Sequence, residues 1–538
     1  KLVALVNNGL HRASEIFDIV RIRLTDRYPT IRFAAFDLPR GWDEQDVLAK
    51  LPGMLRDGGC DAVITGVGGG VGCTLSCVRV GLASEMTGIP SVTVLASAYA
   101  AQGHAAVTAL GAGNIAFAEY PGVTVSDSDD ELRSKVEGIL VDKIVQGFAT
   151  PVDVAMPSAA EPGNTDTIFK GTLREVQDFF YEQLWTDGLP IVPPTVTEVE
   201  QFLKFTDRSS EEVIGVLPVE NREATVWNVA VNGVMAGCRP EYMPVLIAAV
   251  EAIADPAFHI EDAGSTPGWE PLIIVNGPII KEFNFNYGAG VLRVGRQANT
   301  SIGRFLRLFM INVVGCRISP GVTDKGSIGA TFNVVLAEAE DAVAELGWFS
   351  FGVDQGFKPN ESVVTVQSSI GGSFPIYPAG DRAVDYAETI AKVWGGGPCT
   401  YWSCTAMSFG KYFPLLVMTP RVAAALAKDG WTKDHLRDYL AKNVKVRASL
   451  AESWARQMSG VERTISEFVR EGRLPKEYSE STDPDRLVPV FLNRDWIGIV
   501  VAGDPFGNQV RGFLNNHMQG VRLSRKVDLP GDRRLTHA

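Results

Sequence analysis

Asp61-Ala-Val-Ile-Thr-Gly-Val-Gly-Gly-Gly-Val-Gly-Cys73-Thr-Leu-Ser-Cys77 is the stretch that decides the fold of the N-terminal region. A short apolar run passes into five glycines within seven residues, Gly66 to Gly72, and then into a helical pattern. That is a buried strand, a tight turn and a helix start. On either side the same alternation continues. Strand-like runs lie at Leu2–Val6, Ile31–Phe36, Ala62–Thr65, Ser91–Leu95 and Asn114–Ala118. Helical patterns fill 12–27, 43–57, 73–87 and 128–146, with a less defined one after Ala98. The expectation is an α/β domain over residues 1–150, a doubly wound, flavodoxin-like parallel sheet of about five strands.

In such sheets ligands sit at the carboxyl ends of the strands. The residues expected there are Asn7 and Asn8, then Gly68, Gly69, Gly70 and Thr74, then Ser97 and Tyr99. A cysteine at the start of a helix meets free N–H groups and the positive end of the macrodipole, which favour the thiolate. Cys73 is therefore the first catalytic candidate, with Cys77 four residues on along the same helical face. His11 and His104 are candidate bases for Cys73. The alternative is that the glycines only make the turn and the cysteines are small core residues. A dinucleotide fingerprint does not fit, because the turn follows the third strand, and no Gly-Lys-Ser/Thr completes a phosphate loop.

Residues 151–168 are rich in Pro, Ala, Ser and Asp and read as a linker. From residue 169 to 538 the pattern becomes a larger α+β domain. Its expected helices include Leu173–Leu184, Pro240–Ala254, Arg421–Lys428, Lys433–Ala441 and Ala448–Glu471; its strands include Leu272–Val275, Val363–Gln367, Leu415–Met418 and Ile497–Val501. Two echoes, Met235–Arg239 with Val313–Arg317 and Ile273–Val275 with Ile499–Val501, suggest an internal duplication.

The net charge of −13 with 46% hydrophobic residues describes an acidic globular chain, which excludes nucleic acid as a main partner. No apolar run is long enough for a membrane span, and seven scattered cysteines suit reduced thiols in the cytoplasm. A small-molecule substrate and a homo-oligomeric assembly are the expected partners. No cofactor is assigned. No metal site is expected either, since the six histidines are scattered.

The segment Ala62–Ser97, with Cys73-Thr74 after the strand and Thr87-Gly88-Ile89-Pro90 before the next one, resembles the UGSC family of selenoprotein-related proteins. More distantly it resembles component B of glycine, sarcosine and betaine reductases. The U-x-x-C-T pattern of those proteins lays its second cysteine on Cys73 and its selenocysteine on Gly70. Trp185–Thr195, Gly237–Pro244 and Ile274–Pro278 are similar to a C-terminal region attached to some UGSC proteins. The resemblance implies reductive or lyase-type cleavage of a carbon–heteroatom bond, with the second chalcogen of the redox pair missing at Gly70.

Five arginines between Arg293 and Arg317 add a candidate anion site, with Arg293 and Arg296 as its substrate-binding members; solvated helix charges are the alternative. Trp185–Thr195 reads as a rigid turn, and Trp394–Cys404 as a glycine- and aromatic-rich loop over a ligand or subunit contact. The leading expectation is a cysteine-dependent enzyme acting on a small polar or anionic molecule. Its rivals are a non-enzymatic anion-binding or assembly protein and a metal-dependent lyase or hydratase. The last is prompted by a likeness of Cys73–Cys77 to the metal loop of nitrile hydratases, whose middle cysteine this run lacks.

Overall fold

The computed structural model describes residues 1–37, 44–110, 112–152, 163, 165–217, 222–260, 268–317, 329, 331–332, 334–396, 401, 403–404, 407, 410, 412–459, 463–515 and 520–530. The N-terminal region is a parallel sheet of β1 (Leu2–Asn7), β2 (Arg32–Asp37), β3 (Ala62–Gly68), β4 (Ser91–Ala96) and β5 (Phe117–Tyr120). Their order, β2-β1-β3-β4-β5, is the flavodoxin-like arrangement. Between them run α1 (Ala13–Arg27), α2 (Glu44–Asp57), α3 (Val71–Met86) and α4 (Ala100–Ala109). After β5, α5 (Asp129–Lys135) continues through one wider turn at Val136–Leu140 into α6 (Val141–Gly147). The buried faces are the apolar ones the alternation indicates: Val3, Leu5, Ile64, Val92 and Val94 pack with Ile16, Val20, Leu140 and Ile144.

Some boundaries depart from those expected, the fifth strand lying at Phe117–Tyr120 and not at Asn114–Ala118. β3 runs on through Val67 to Gly68, and its pairing with β4 shifts register between Thr65 and Gly68. Glycine lets this happen, because a Cβ at Gly68 would stand 2.4 Å from Leu95 and 2.9 Å from the Thr74 hydroxyl. The less defined segment after Ala98 is a regular helix, α4. Most of the expected linker, residues 153–162 and 164, lies outside the described residues.

Beyond residue 168 the chain opens with helices Leu173–Glu182 and Val196–Leu203 and the hairpin β6 (Val213–Leu217) and β7 (Arg222–Thr225). Two mixed four-stranded sheets follow. The first pairs β17 (Leu523–Lys526), β10 (Val363–Ser369), β8 (Glu270–Asn276) and β9 (Leu336–Ala337); the second pairs β11 (Gly371–Gly372), β16 (Val510–Leu514), β12 (Leu415–Met418) and β15 (Gly498–Val501). A small hairpin of β13 (Lys445–Arg447) and β14 (Leu487–Pro489) lies between β12 and β15 in the chain.

Side chains alternate across the sheets with period two. Leu272 and Ile274 meet Leu415, Val417, Val500 and Phe513 between the sheets. On the outer face of the first sheet, Ile273, Val275, Val364 and Val366 pack against helices Val226–Met235, Met243–Ala254 and Gln297–Phe309. On that of the second, Leu416, Met418, Ile499 and Val501 pack against helices Ala383–Gly396, Pro420–Lys428, Lys433–Asn443 and Ala448–Ser459. The result is four layers, helix–sheet–sheet–helix.

Both sheets follow one plan. A central strand, β8 or β12, has a parallel neighbour, β9 or β15, and an antiparallel one, β10 or β16. The outermost strands are exchanged: β11 continues from β10 but pairs with β16, and β17 follows β16 but pairs with β10. The sequence echoes do not track this plan. Ile273–Val275 sits on β8, whose counterpart is β12, whereas Ile499–Val501 sits on β15. Met235–Arg239 and Val313–Arg317 are alike because each closes a helical segment on a left-handed glycine, Gly237 and Gly315. The expected helix Ala448–Glu471 is two helices, Ala448–Ser459 and Ile465–Arg470, since Thr464 and Glu467 form a capping box that starts the second.

Glu338, fully buried just after β9, ties the two sheets together. Its carboxylate accepts from Asn276 Nδ2 at 2.7 Å, from the Phe351 and Val501 backbone N–H groups, and from Lys433 Nζ at 3.2 Å. Burial pushes this carboxyl above its ordinary value, against the pull of Lys433 and the three N–H donors. Replacing Lys433 with Met should cost about 3–5 kcal/mol by leaving that charge uncompensated. Urea unfolding would measure it, and the double variant Glu338→Gln/Lys433→Met should recover part of the loss.

Candidate functional site

The strand order turns back between β1 and β3, which opens a crevice at their carboxyl ends. The loop Asn8–Arg12 enters it from β1, and Gly69 and Gly70 enter from β3. Asn8, 5% exposed, fastens one to the other. Its Oδ1 accepts from Val67 N at 3.1 Å and Leu10 N at 3.2 Å, while its Nδ2 donates to Val67 O at 2.8 Å. Asn7 shapes the same loop by accepting from Gly9 N at 2.8 Å and donating to Ser14 Oγ at 2.9 Å. Both asparagines thus build the site from within.

His11 and Arg12 lie in the left-handed region, at φ 56° and 62°. Non-glycine residues adopt it only where their surroundings hold them. Arg12 supplies the hold: its guanidinium bonds Glu15, the Asp127 carbonyl at 2.8 Å and the Asp129 carboxylate. The turn directs His11 inward, where Nε2 lies 3.2 Å from Cys73 Sγ. Both residues are only 8% exposed. Of the two histidines expected near the thiol, His11 is there. His104 is exposed on α4 with its ring edge-on to Phe117, 4.9 Å between centroids.

Cys73 is the third residue of α3, in the turn where backbone N–H groups have no helical partner. Gly70 is the N-cap residue, with extended backbone at φ −163° and ψ 164°. Gly69 lets the ring approach, since a Cβ there would stand 2.5 Å from His11 Cγ. Two buried polar atoms of these segments, His11 Nδ1 and Thr74 Oγ1, find no partner among the described residues. Cys77 is fully buried with Asn8 Nδ2 at 3.5 Å from its sulfur, so it faces the β1 loop. At the next strand end Ser97 Oγ accepts from Gly122 N at 2.9 Å, and Tyr99 is half-buried in the same single turn.

The C-terminal region covers the thiol. Cys73 and Leu10 join an apolar cluster whose other members, Cys404, Met407 and Tyr412 among them, belong to residues 343–510. Arg463 reaches Asp37, at the end of β2, with 3.0 Å between charged atoms. Burial pushes the Cys404 thiol up to about 12, so it stays protonated near neutrality. Sequence reasoning missed Leu10, Arg12 and the Asp37–Arg463 link. Leu10 and Arg12 flank His11, and the Asn-Asn-Gly turn before them was the available signal.

The arginine cluster separates. Arg304 makes a two-pronged pair with Asp187, both N–O distances 2.9 Å, and also bonds Pro190 O at 2.8 Å. That pins the Trp185–Thr195 turn to helix Gln297–Phe309. Arg307 pairs with Glu270. Arg296 is exposed, 3.5 Å from Asn284 Oδ1, and Arg293 lines a cavity in the C-terminal region. Neither meets Cys73. Part of the Trp394–Cys404 loop, Gly397–Thr400 and Trp402, lies outside the described residues.

Among the described residues no group of three or more His, Cys, Asp and Glu side chains could hold a metal ion, and no helix is long and apolar enough to cross a membrane. No curated protein and no solved structure matches the chain. The likeness of Ala62–Ser97 to reductase component B therefore finds no support in these comparisons. Residues 1–149 match the UGSC family model, and that match covers the domain that pairs His11 with Cys73.

Proposed function

We propose that the protein is a thiol-dependent enzyme that cleaves a carbon–heteroatom bond in a small polar or anionic molecule, with Cys73 as nucleophile and His11 as its proton partner. One observation carries this reading: His11 Nε2 lies 3.2 Å from Cys73 Sγ at the start of α3. Nucleophile and base within contact, on adjacent strand ends, is the arrangement that activates a thiol. His11 Nε2 takes the proton from Cys73, and the α3 N-terminus favours the resulting thiolate. The sulfur electron pair then forms a bond to the substrate carbon, and the heteroatom leaves with the old bonding pair and the His11 proton. An external thiol completes a reductive cycle. It attacks Sγ, the carbon departs with the bonding pair and is protonated, and a second equivalent reduces the mixed disulfide.

Such chemistry belongs in a reducing compartment, and the cytoplasm suits the described cysteines, none of which is bridged. The two orphaned atoms, His11 Nδ1 and Thr74 Oγ1, offer polar contacts to a bound ligand.

Cys73→Ser should abolish turnover of any substrate, while Cys77→Ser should retain it. At pH 7, iodoacetamide should modify Cys73 before Cys404, as read by peptide mass mapping. His11→Ala should slow modification of Cys73 by roughly tenfold or more. Gly69→Ala should act in the same direction, because its methyl group occupies the place of the His11 ring. Unchanged modification in His11→Ala would overturn the pairing. Ligand binding that persists in Cys73→Ser, with no turnover in either protein, would favour an anion-binding role for the turn.

A further inference from the structure

We infer that the C-terminal region holds a second ligand site, for a small oxyanion, in the cavity between Arg293 and Arg511. The cavity, of about 460 Å³, lies at the carboxyl ends of the parallel pair β12 and β15. That size suits a small metabolite. Its floor is Val417 and Phe513, on the inner faces of their strands. Cys73 packs instead with the cluster on the outer face of this sheet, Leu416 and Met418 included. The site is therefore separate from the thiol and does not depend on the reading given to it.

Charge is the argument. Elsewhere in the C-terminal region several arginines are committed: Arg304 to Asp187, Arg307 to Glu270, Arg437 to Asp354, Arg525 to Asp255. The side chains of Arg293 and Arg511 are exposed and have neither ion pair nor hydrogen bond among the described residues. Two uncommitted guanidinium forks on one cavity match the oxygens of a carboxylate or phosphate. Asp504, the one carboxylate among the described lining residues, is turned to its own loop, where Oδ1 accepts from Phe506 N at 2.9 Å. Tyr377 accepts from Gln509 Nε2 at 3.2 Å, which leaves its hydroxyl proton for a ligand. Asn508 donates to Pro378 O at 2.6 Å and has a buried Oδ1 without a partner among the described residues, an acceptor suited to a ligand hydroxyl or amine.

The shared plan of the two sheets sharpens this. The corresponding place in the first sheet, at the ends of β8 and β9, is also a cavity, of about 410 Å³. There Glu338, Glu340 and Asp341 line the wall with Lys281 as the lining cation. The two halves thus present the same recess with opposite charge, and the basic one is the anion site.

Inorganic phosphate and malonate, titrated separately by calorimetry at low ionic strength, test it and distinguish the two oxyanion classes. At least one should bind wild-type protein and bind Cys73→Ser equally well. Arg293→Gln and Arg511→Gln should each weaken it by roughly tenfold, the loss of one charge-assisted hydrogen bond. Lys442→Gln, an exposed cation outside the cavity, should not. Both arginines are exposed, so circular dichroism should show the variants folded. Failure of both probes to bind wild type, or equal binding to the Arg293→Gln/Arg511→Gln double variant, would overturn the assignment.

Discussion

Three hydrogen bonds from one buried side chain fix the geometry of the N-terminal site. The carboxamide of Asn8 accepts from Val67 N and donates to Val67 O, so the β1 loop and the β3 turn are locked at a single residue. A further bond, from Leu10 N to its Oδ1, closes the turn that leads to His11. Everything after that point is placed by consequence. The left-handed His11–Arg12 pair follows the closed turn, Arg12 is moored by Glu15 and Asp129, and the imidazole comes to rest on Cys73. Glycine at 69 is the matching constraint from the other side, because any side chain there would occupy the ring's place.

The C-terminal region contributes cover. A helix-start thiol is ordinarily open to solvent at the edge of such a sheet. Here Leu10 and Cys73 are packed into the helical layer over the sheet of β12 and β15. Burial in apolar surroundings raises a thiol's pKa, whereas a helix N-terminus and a histidine lower it. The surroundings of Cys73 therefore come from two parts of the chain. Cys404, in the same cluster, shows what burial does alone, with its thiol pushed up to about 12.

Much of this was legible in the sequence. Alternating apolar runs and helical patterns gave the five-stranded sheet, because a buried parallel strand must be continuously apolar. The glycine turn located Cys73, since few other residues let a strand pass so tightly into a helix. His11 emerged as a candidate from its place after a strand end, but His104 met the same criterion, and only the left-handed turn separates them. The arginines between 293 and 317 were harder. Spacing along a helix says which residues share a face, yet Asp187, more than a hundred residues away, decides that Arg304 is committed. The exchange of β11 and β17 between sheets was illegible for a related reason: two- and four-residue strands carry too short a pattern to name a partner.

Gly70 remains the most informative residue of the turn. It is the N-cap of α3 and Cys73 is N3, the two positions whose side chains and backbone meet in a capped helix. In the family pattern that Cys73-Thr74 resembles, a chalcogen at the N-cap would sit over the cysteine at N3, poised to form a bond with it. Glycine at this place removes that bond and leaves the first turn of the helix uncrowded. The group that meets the Cys73 sulfur comes instead from β1, as an imidazole. An imidazole exchanges protons and forms no bond that stores two electrons. With glycine at position 70 the first turn has no second chalcogen to pair with Cys73, and the contact to its sulfur at 3.2 Å is an imidazole nitrogen. Any reductive chemistry at Cys73 must draw its electrons from outside the turn.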